Sequence, residues 1–241
     1  MSDYCDYPPG VEGLPRVGGW QNTNVERLAA LNPDLVVMID AQAPFIKDRL
    51  DSLGVPTLVT RTQTLDDIFA AIEAIGRATA NEPQAQQLST QMHAALEGIR
   101  RQASGREKPR VLCVVDRVPG TLRDLYAATR GSFLAELVEI AGGEVIAPDA
   151  SSGYGQLSKE ALLALDPHII IDIVQGAEGS FSEDTQSVWR ELPQVRAVRD
   201  NRVYTVRDAR VVHPSQLVAD SARRFAEMIH PEVFRNNDAS R

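Results

Sequence analysis

The stretch NVERLAALNPDLVVMID, residues 24–40, returns in altered form as SKEALLALDPHIIIDIV, residues 158–174. Glu26, Leu28, Ala30, Leu31 and Pro33 correspond to Glu160, Leu162, Ala164, Leu165 and Pro167, each displaced by 134 positions. A chain that spells one short helix, turn and strand twice is constrained to build two similar units. Asn24 and Ser158 are good helix N-caps, and each glutamate then takes the second helical position, where a carboxylate meets the positive end of the dipole. Leu28, Leu31, Leu162 and Leu165 sit at a three-residue spacing and are expected to face inward. Proline disfavours helical geometry in the residue before it, so Asn32-Pro33 and Asp166-Pro167 stop the helices. The apolar runs LVVMI and IIIDI that follow suit parallel strands covered on both faces.

Other expected strands are residues 57–59, 111–115, 144–146 and 203–206, with helical segments between them, which implies βαβ units. SFLAELVEIAGG is the best-formed helix, capped by Ser132 and stopped by Gly142-Gly143. Thr64 and Asp67 make a capping box for a helix whose stripe is Leu65, Ile68, Phe69, Ile72 and Ile75. Asn81-Glu82-Pro83 interrupts it, and a second helix carries Ala85, Leu88, Met92, Leu96 and Ile99 on one face. The expected architecture is α/β: two Rossmann-like lobes with mainly parallel sheets, residues 1–80 and 105–241, joined by a spine helix over 81–104. A stiff single connection predicts a largely pre-formed cleft between the lobes, which lowers the ordering cost of binding.

With 241 residues, 43% hydrophobic and 24% charged, the chain is of globular composition. A net charge of −8 without any Lys/Arg block argues against nucleic acid as a partner. No apolar run reaches the ~18–20 residues of a membrane span. The two cysteines, Cys5 and Cys113, give neither a disulfide framework nor a zinc site, and Cys113 in VLCVV reads as a buried thiol. MSDYCDYPPG has no features of a leader, which taken literally means a cytoplasmic chain.

Function is expected where loops leave the C-terminal ends of parallel strands. Aromatic residues, 5% of the chain, gather in such places: Tyr4, Tyr7 and Trp20 near the start, Tyr126 after the 111–115 strand, and Tyr154 in the SSGYGQ loop. Three or four rings burying about 150–250 Å² each suit a large flat ligand. No dinucleotide, phosphate-loop, zinc-protease or serine-hydrolase motif is present, so the chain reads as a non-enzyme with no metal site or cofactor. Of four histidines only His213, in DARVVHPSQ, is placed to face the cleft. His93 reads as a solvated helix residue, His168 as a turn residue and His230 as a helix-end residue. Asp116, Asp172 and Asp208 fall near strand ends, where acids usually cap helices.

Taken in order, YCDYPPGVEGLPRVGGWQNTNVERLAALNPDLVV, the long linking helix, SFLAELVEIAGGEVI and EMIHPEVF resemble the class III periplasmic substrate-binding proteins of ABC importers, most of all those for cobalamin. The resemblance runs from about Tyr4 to Phe234. It implies a corrinoid, tetrapyrrole-like ligand contacted by Tyr4, Trp20, Tyr126 and Tyr154, with Asp208 near the cleft. It also implies that Glu26 and Glu160 are docking glutamates, one per lobe, which bind arginines on a two-fold permease dimer. A monomer meets a two-fold receptor only by offering the same group twice. The same resemblance implies a periplasmic location and a first lobe shortened at its N-terminus. Ile39 stands where the family has an aromatic residue, and Val212, beside His213, where it has an arginine. Within this class, haem or a ferric siderophore is the alternative ligand, with Tyr4, Tyr154 or His213 as axial haem ligands. An intracellular α/β enzyme or chelatase-like protein and a pure interaction module are the alternatives of other classes.

Overall fold

Asn24 caps the first helix as its sequence requires: its side chain accepts the backbone N–H of Arg27. The computed structural model describes residues 1–19, 21–147, 150, 153–173 and 184–234. The chain divides into two units, Met1–Thr62 with Phe69–Ala85, and Gln63–Ile68 with Gln86–Arg241.

In the first unit α1 (Val25–Ala30) leads to β1 (Val36–Ile39), α2 (Ala43–Ser52) and β2 (Thr57–Thr60). β1 and β2 pair in parallel, Val36 opposite Thr57 and Ile39 opposite Thr60. Val25, Leu28, Met38, Ile46 and Leu50 make the small core beneath them. Leu28 faces inward as expected, but Leu31 does not: it is 46% exposed, because α1 ends at Ala30 and the chain has already turned. The stop itself is left-handed, with Asn32 at φ 49° and its counterpart Asp166 at φ 40°. Asparagine and aspartate tolerate this region, so the residues before the two prolines leave helical geometry by changing the sign of φ.

α3 (Leu65–Ala78) and α4 (Glu82–Ala103) follow. The capping box forms reciprocally: Thr64 N–H donates to the Asp67 carboxylate at 3.1 Å, and Asp67 N–H to the Thr64 hydroxyl at 3.2 Å. α4 has 22 residues, about 33 Å of rod, with Ala85, Met92, Leu96 and Ile99 buried. Within the first unit Gly76 and Ala85 bring α3 and α4 together so closely that a Cβ on Gly76 would meet that of Ala85 at 2.4 Å. Gly76→Ala is therefore expected to lower stability by about 1–3 kcal/mol through overpacking. That loss outweighs the ~0.5–1 kcal/mol that alanine gains over glycine in a helix. Urea unfolding checks it, and an unchanged or raised midpoint would remove the close approach from the account.

In the second unit β3 (Arg110–Asp116) is followed by β4 (Leu125–Ala128), α5 (Phe133–Ile140), β5 (Glu144–Val145) and β6 (Tyr154–Leu157). Then come α6 (Lys159–Leu165), β7 (Ile169–Ile173), α7 (Thr185–Trp189), α8 (Arg196–Arg199) and β8 (Val203–Val206), a 3-10 turn over Ala209–Val212, α9 (Val218–Ile229) and α10 (Pro231–Phe234). The sheet runs β6-β4-β3-β7-β8, with β5 also on β3. β5, β3, β7 and β8 pair in parallel; β4 runs antiparallel to β3, and β6, antiparallel to β4, runs in the direction of β3. Leu112, Val114, Ile170, Leu162 and Trp189 lie at the centre of one core of this unit.

The expected α/β class with mainly parallel sheets is thus present, with one correction. Tyr126 and Tyr154, expected in irregular loops, lie on β4 and β6. The connection from β3 to β4 contains Pro119 and Gly120, the glycine at φ 70°, and is too short for the crossover that a parallel neighbour needs. A turn of that length returns the strand antiparallel. Leu165, expected to face inward with Leu162, is only partly buried. His93 is exposed on α4, whereas His230 at the end of α9 is buried and bonded to the Gly142 carbonyl at 3.2 Å.

Candidate functional site

In the second unit the candidate aromatic residues come together on one face. β4 and β6 pair with Tyr126 opposite Gln156 and Ala128 opposite Tyr154, which makes the two tyrosines diagonal neighbours on the same side. Diagonal pairs of this kind stand about 7–8 Å apart, within reach of a single ring system. Leu125, Ala127 and Leu157 alternate with them and are buried in the core, so the tyrosine face points away from it. Tyr126 also lies opposite Asp116 across β3, and Gln156 donates to Asp124 at 3.2 Å, giving the patch a polar rim. Tyr126 is 40% exposed. Tyr154 is deeper, and burial pushes its phenol up to about 12, which keeps it neutral.

Asp208 and His213 bracket the 3-10 turn that follows β8, as its N-cap and C-cap. They sit at the same C-terminal edge of the sheet as Asp116, three strand steps or roughly 14 Å from β4. Asp208 is engaged by two arginines. Its carboxylate takes Arg210 Nε at 2.8 Å and Nη2 at 3.0 Å, and Arg224 Nη1 at 2.8 Å. The Arg210 hydrogen bonds hold its carboxyl well down, at about 2. Its charge is thus matched by two arginines held at this edge.

Asp172 likewise departs from the strand-end capping role. It is wholly buried in β7, where one carboxylate oxygen accepts Arg117 Nε at 2.9 Å and Trp189 Nε1 at 2.7 Å. Arg117, which the sequence did not single out, thereby fixes the loop leaving β3. Cys113 is buried as expected, and burial, reinforced by Asp172, raises its thiol to about 12.

In the first unit Tyr4 is 65% exposed and its ring lies against Gly19. Trp20, the other expected ligand residue here, lies outside the described residues. Gln42 at the start of α2 donates to the Thr23 hydroxyl at 3.1 Å, which donates to the Gly19 carbonyl at 2.7 Å. This ties the end of β1 to the Tyr4 loop. Ile39 and Phe45, exposed at that end, add apolar surface; Phe45 is not among the residues expected from the sequence.

Glu26 and Glu160 occupy equivalent places, each at the second position of a helix capped by Asn24 or Ser158. Each carboxyl is lowered, first by its own backbone N–H. Glu26 also pairs with Arg49 from α2, whereas Glu160 gains a hydrogen bond from Ser158. Both are fully exposed acids held at helix starts and able to accept a guanidinium fork.

Two concavities of the second unit have a different chemistry. One of about 560 Å³ sets Asp66, Glu136 and Glu139 against Arg100, Arg106 and Lys108. The other, about 460 Å³, sets Glu107, Asp200 and Glu232 against Arg106, Arg196 and Arg202. Charge-balanced walls of this kind suit water and ions better than an apolar ligand. Among the described residues no group of three or more His, Cys, Asp or Glu could hold a metal ion, and no helix is long and apolar enough to cross a membrane.

The sequence profile described as periplasmic binding protein matches residues 2–209. An uncharacterized ABC transporter substrate-binding lipoprotein of Bacillus subtilis is 30% identical over 95% of this chain and 72% of its own length. A vitamin B12-binding protein of Salmonella typhi is 28% identical over 82% of this chain and 72% of its own. Among solved structures, the periplasmic vitamin B12 binding protein of Vibrio cholerae is 25% identical, with a TM-score of 0.78 over 95% of this chain and 86% of that one. A haem-complexed protein of Staphylococcus aureus, 21% identical, shares the fold with a TM-score of 0.80 over 95% and 89%. The chain belongs to the periplasmic binding protein family and is, as such, a non-enzymatic substrate-binding component of an ABC importer.

Proposed function

We propose that the chain binds a corrinoid outside the cytoplasm and, as a monomer, delivers it to the two-fold permease of its importer. The observation that carries the ligand class is the similarity to vitamin B12-binding proteins over four-fifths of the chain. The geometry supports it. Within the second unit Tyr126 and Tyr154 offer adjacent rings on one sheet face. Tyr4, in the first unit, is proposed as a contact from the resemblance alone, and its ring is exposed. Flat apolar faces cover the macrocycle, and Asp116, Gln156 and the arginines held by Asp208 meet its polar rim. Haem would require an axial oxygen or nitrogen ligand. Tyr154 is poorly suited, since burial opposes the tyrosinate that such ligation uses. Docking falls to Glu26 and Glu160, whose repetition matches a receptor made of two identical halves.

Calorimetric titration with cyanocobalamin, with haemin in parallel, tests the reading. Saturable binding of cyanocobalamin is expected, weakened roughly tenfold by Tyr126→Ala through loss of ring contact. No heat at about 50 μM cyanocobalamin, where even a free energy of roughly −6 kcal/mol would register, rejects that ligand. Haemin binding with a Soret band would move the assignment to haem.

A further inference from the structure

Tyr4 presents its ring to solvent, yet the backbone beneath it is held as firmly as a core turn. Arg16, half-buried, uses Nη1 to donate to the Ser2 carbonyl at 2.8 Å and to the Cys5 carbonyl. Those two carbonyls bracket Tyr4. The same turn closes with Cys5 N–H on the Ser2 carbonyl at 3.3 Å and Tyr4 N–H on the Ser2 hydroxyl at 3.2 Å. Asp3 N–H donates to the Gly18 carbonyl at 3.1 Å, and Gly18 N–H returns to the Asp3 carboxylate at 3.2 Å. The ring itself rests on Gly19, where an added Cβ would stand 3.0 Å from Tyr4 Cε2 and 2.7 Å from Asn22 Oδ1. A ring that is 65% exposed contributes little burial to the core, so the core does not require this orientation of it.

We infer that Arg16 and Gly19 are positioning residues that pre-set the Tyr4 ring for its ligand. The inference rests on the proposed corrinoid site. Its physical basis is entropic: a loop ordered before the ligand arrives does not have to be ordered by it. The guanidinium suits this task because one planar group spans two carbonyls, which a lysine ammonium does with less fixed geometry.

The test is a double-mutant cycle read by cyanocobalamin affinity in the full chain, with thermal unfolding alongside. Arg16→Ala is expected to weaken binding about tenfold while the melting temperature hardly moves, and to add less than about twofold once Tyr4→Ala is present. Gly19→Ala, which crowds the ring from the other side, should behave likewise. Arg16→Lys carries the same cycle if Arg16→Ala does not fold, with a smaller loss. Equal losses in the presence and absence of Tyr4, or unchanged affinity in both variants, would overturn the inference while leaving the corrinoid site standing. Failure of the unaltered protein to bind cyanocobalamin would instead sink the functional reading, and this inference with it.

Discussion

Asp172→Ala is expected to lower the free energy of unfolding by about 3–5 kcal/mol, because it removes the buried carboxylate that accepts both the Arg117 guanidinium and the Trp189 indole. The Asp172 and Arg117 side chains are 1% and 5% exposed, so water cannot replace the lost partner. The same oxygen also takes the indole N–H of Trp189, which is wholly buried, so a second donor is orphaned. Asp172→Asn keeps an acceptor but not the charge and should fall between. The pair itself is a different matter: replacing both residues by apolar side chains of similar size, Asp172→Leu with Arg117→Met, should recover much of the loss, since two desolvation costs vanish with it. Urea unfolding followed by tryptophan fluorescence measures all three. A loss under about 1 kcal/mol for Asp172→Ala would mean that the loop after β3 relaxes and lets the arginine reach solvent.

Reversing both repeated acids, Glu26→Arg with Glu160→Arg, should abolish delivery while leaving ligand affinity intact. Each acid stands exposed at a helix start, away from the buried core. Reversal replaces attraction by repulsion at two contacts at once, and a loss of permease binding of at least roughly a hundredfold is the expected scale. The single variants should differ. Glu26 pairs with Arg49, so part of its attraction is already committed, whereas Glu160 is held by its own helix start and Ser158, with Lys159 as its weakest influence. Glu160→Arg alone should therefore cost more than Glu26→Arg alone. Uptake assays in vesicles carrying the permease, compared with calorimetry on the free protein, separate docking from binding. Full transport by the double reversal would refute the docking role.

Most of the frame could be read before any coordinates, because it follows from local rules. The N-caps at Asn24, Ser158 and Ser132, the capping box at Thr64 and Asp67, and the strands at 169–173 and 203–206 are set within a few residues of themselves. What escaped depends on distant partners. β4 and β6 are short strands of Leu-Tyr-Ala-Ala and Tyr-Gly-Gln-Leu, with too little periodicity to announce themselves, and only pairing with β3 and with each other makes them strands. Leu31 has the spacing of an inward residue, but the helix ends one residue short of it. The acids mislead most. Asp172 and Asp208 look alike in the sequence, and only the positions of Arg117, Arg210 and Arg224 show that one is sealed in the core and the other is held at the surface. The candidate tyrosines could be named from their place in the chain, but not the face they share.

The placement of the two sulfur atoms has a practical outcome. Cys113 is walled into β3 and stays a thiol far above any physiological pH, so oxidants and alkylating reagents find nothing there to react with. Cys5 is only half-buried and stands next to Tyr4. A dye coupled there would sit beside the Tyr4 ring proposed above as a ligand contact, where it would serve as an optical reporter of binding.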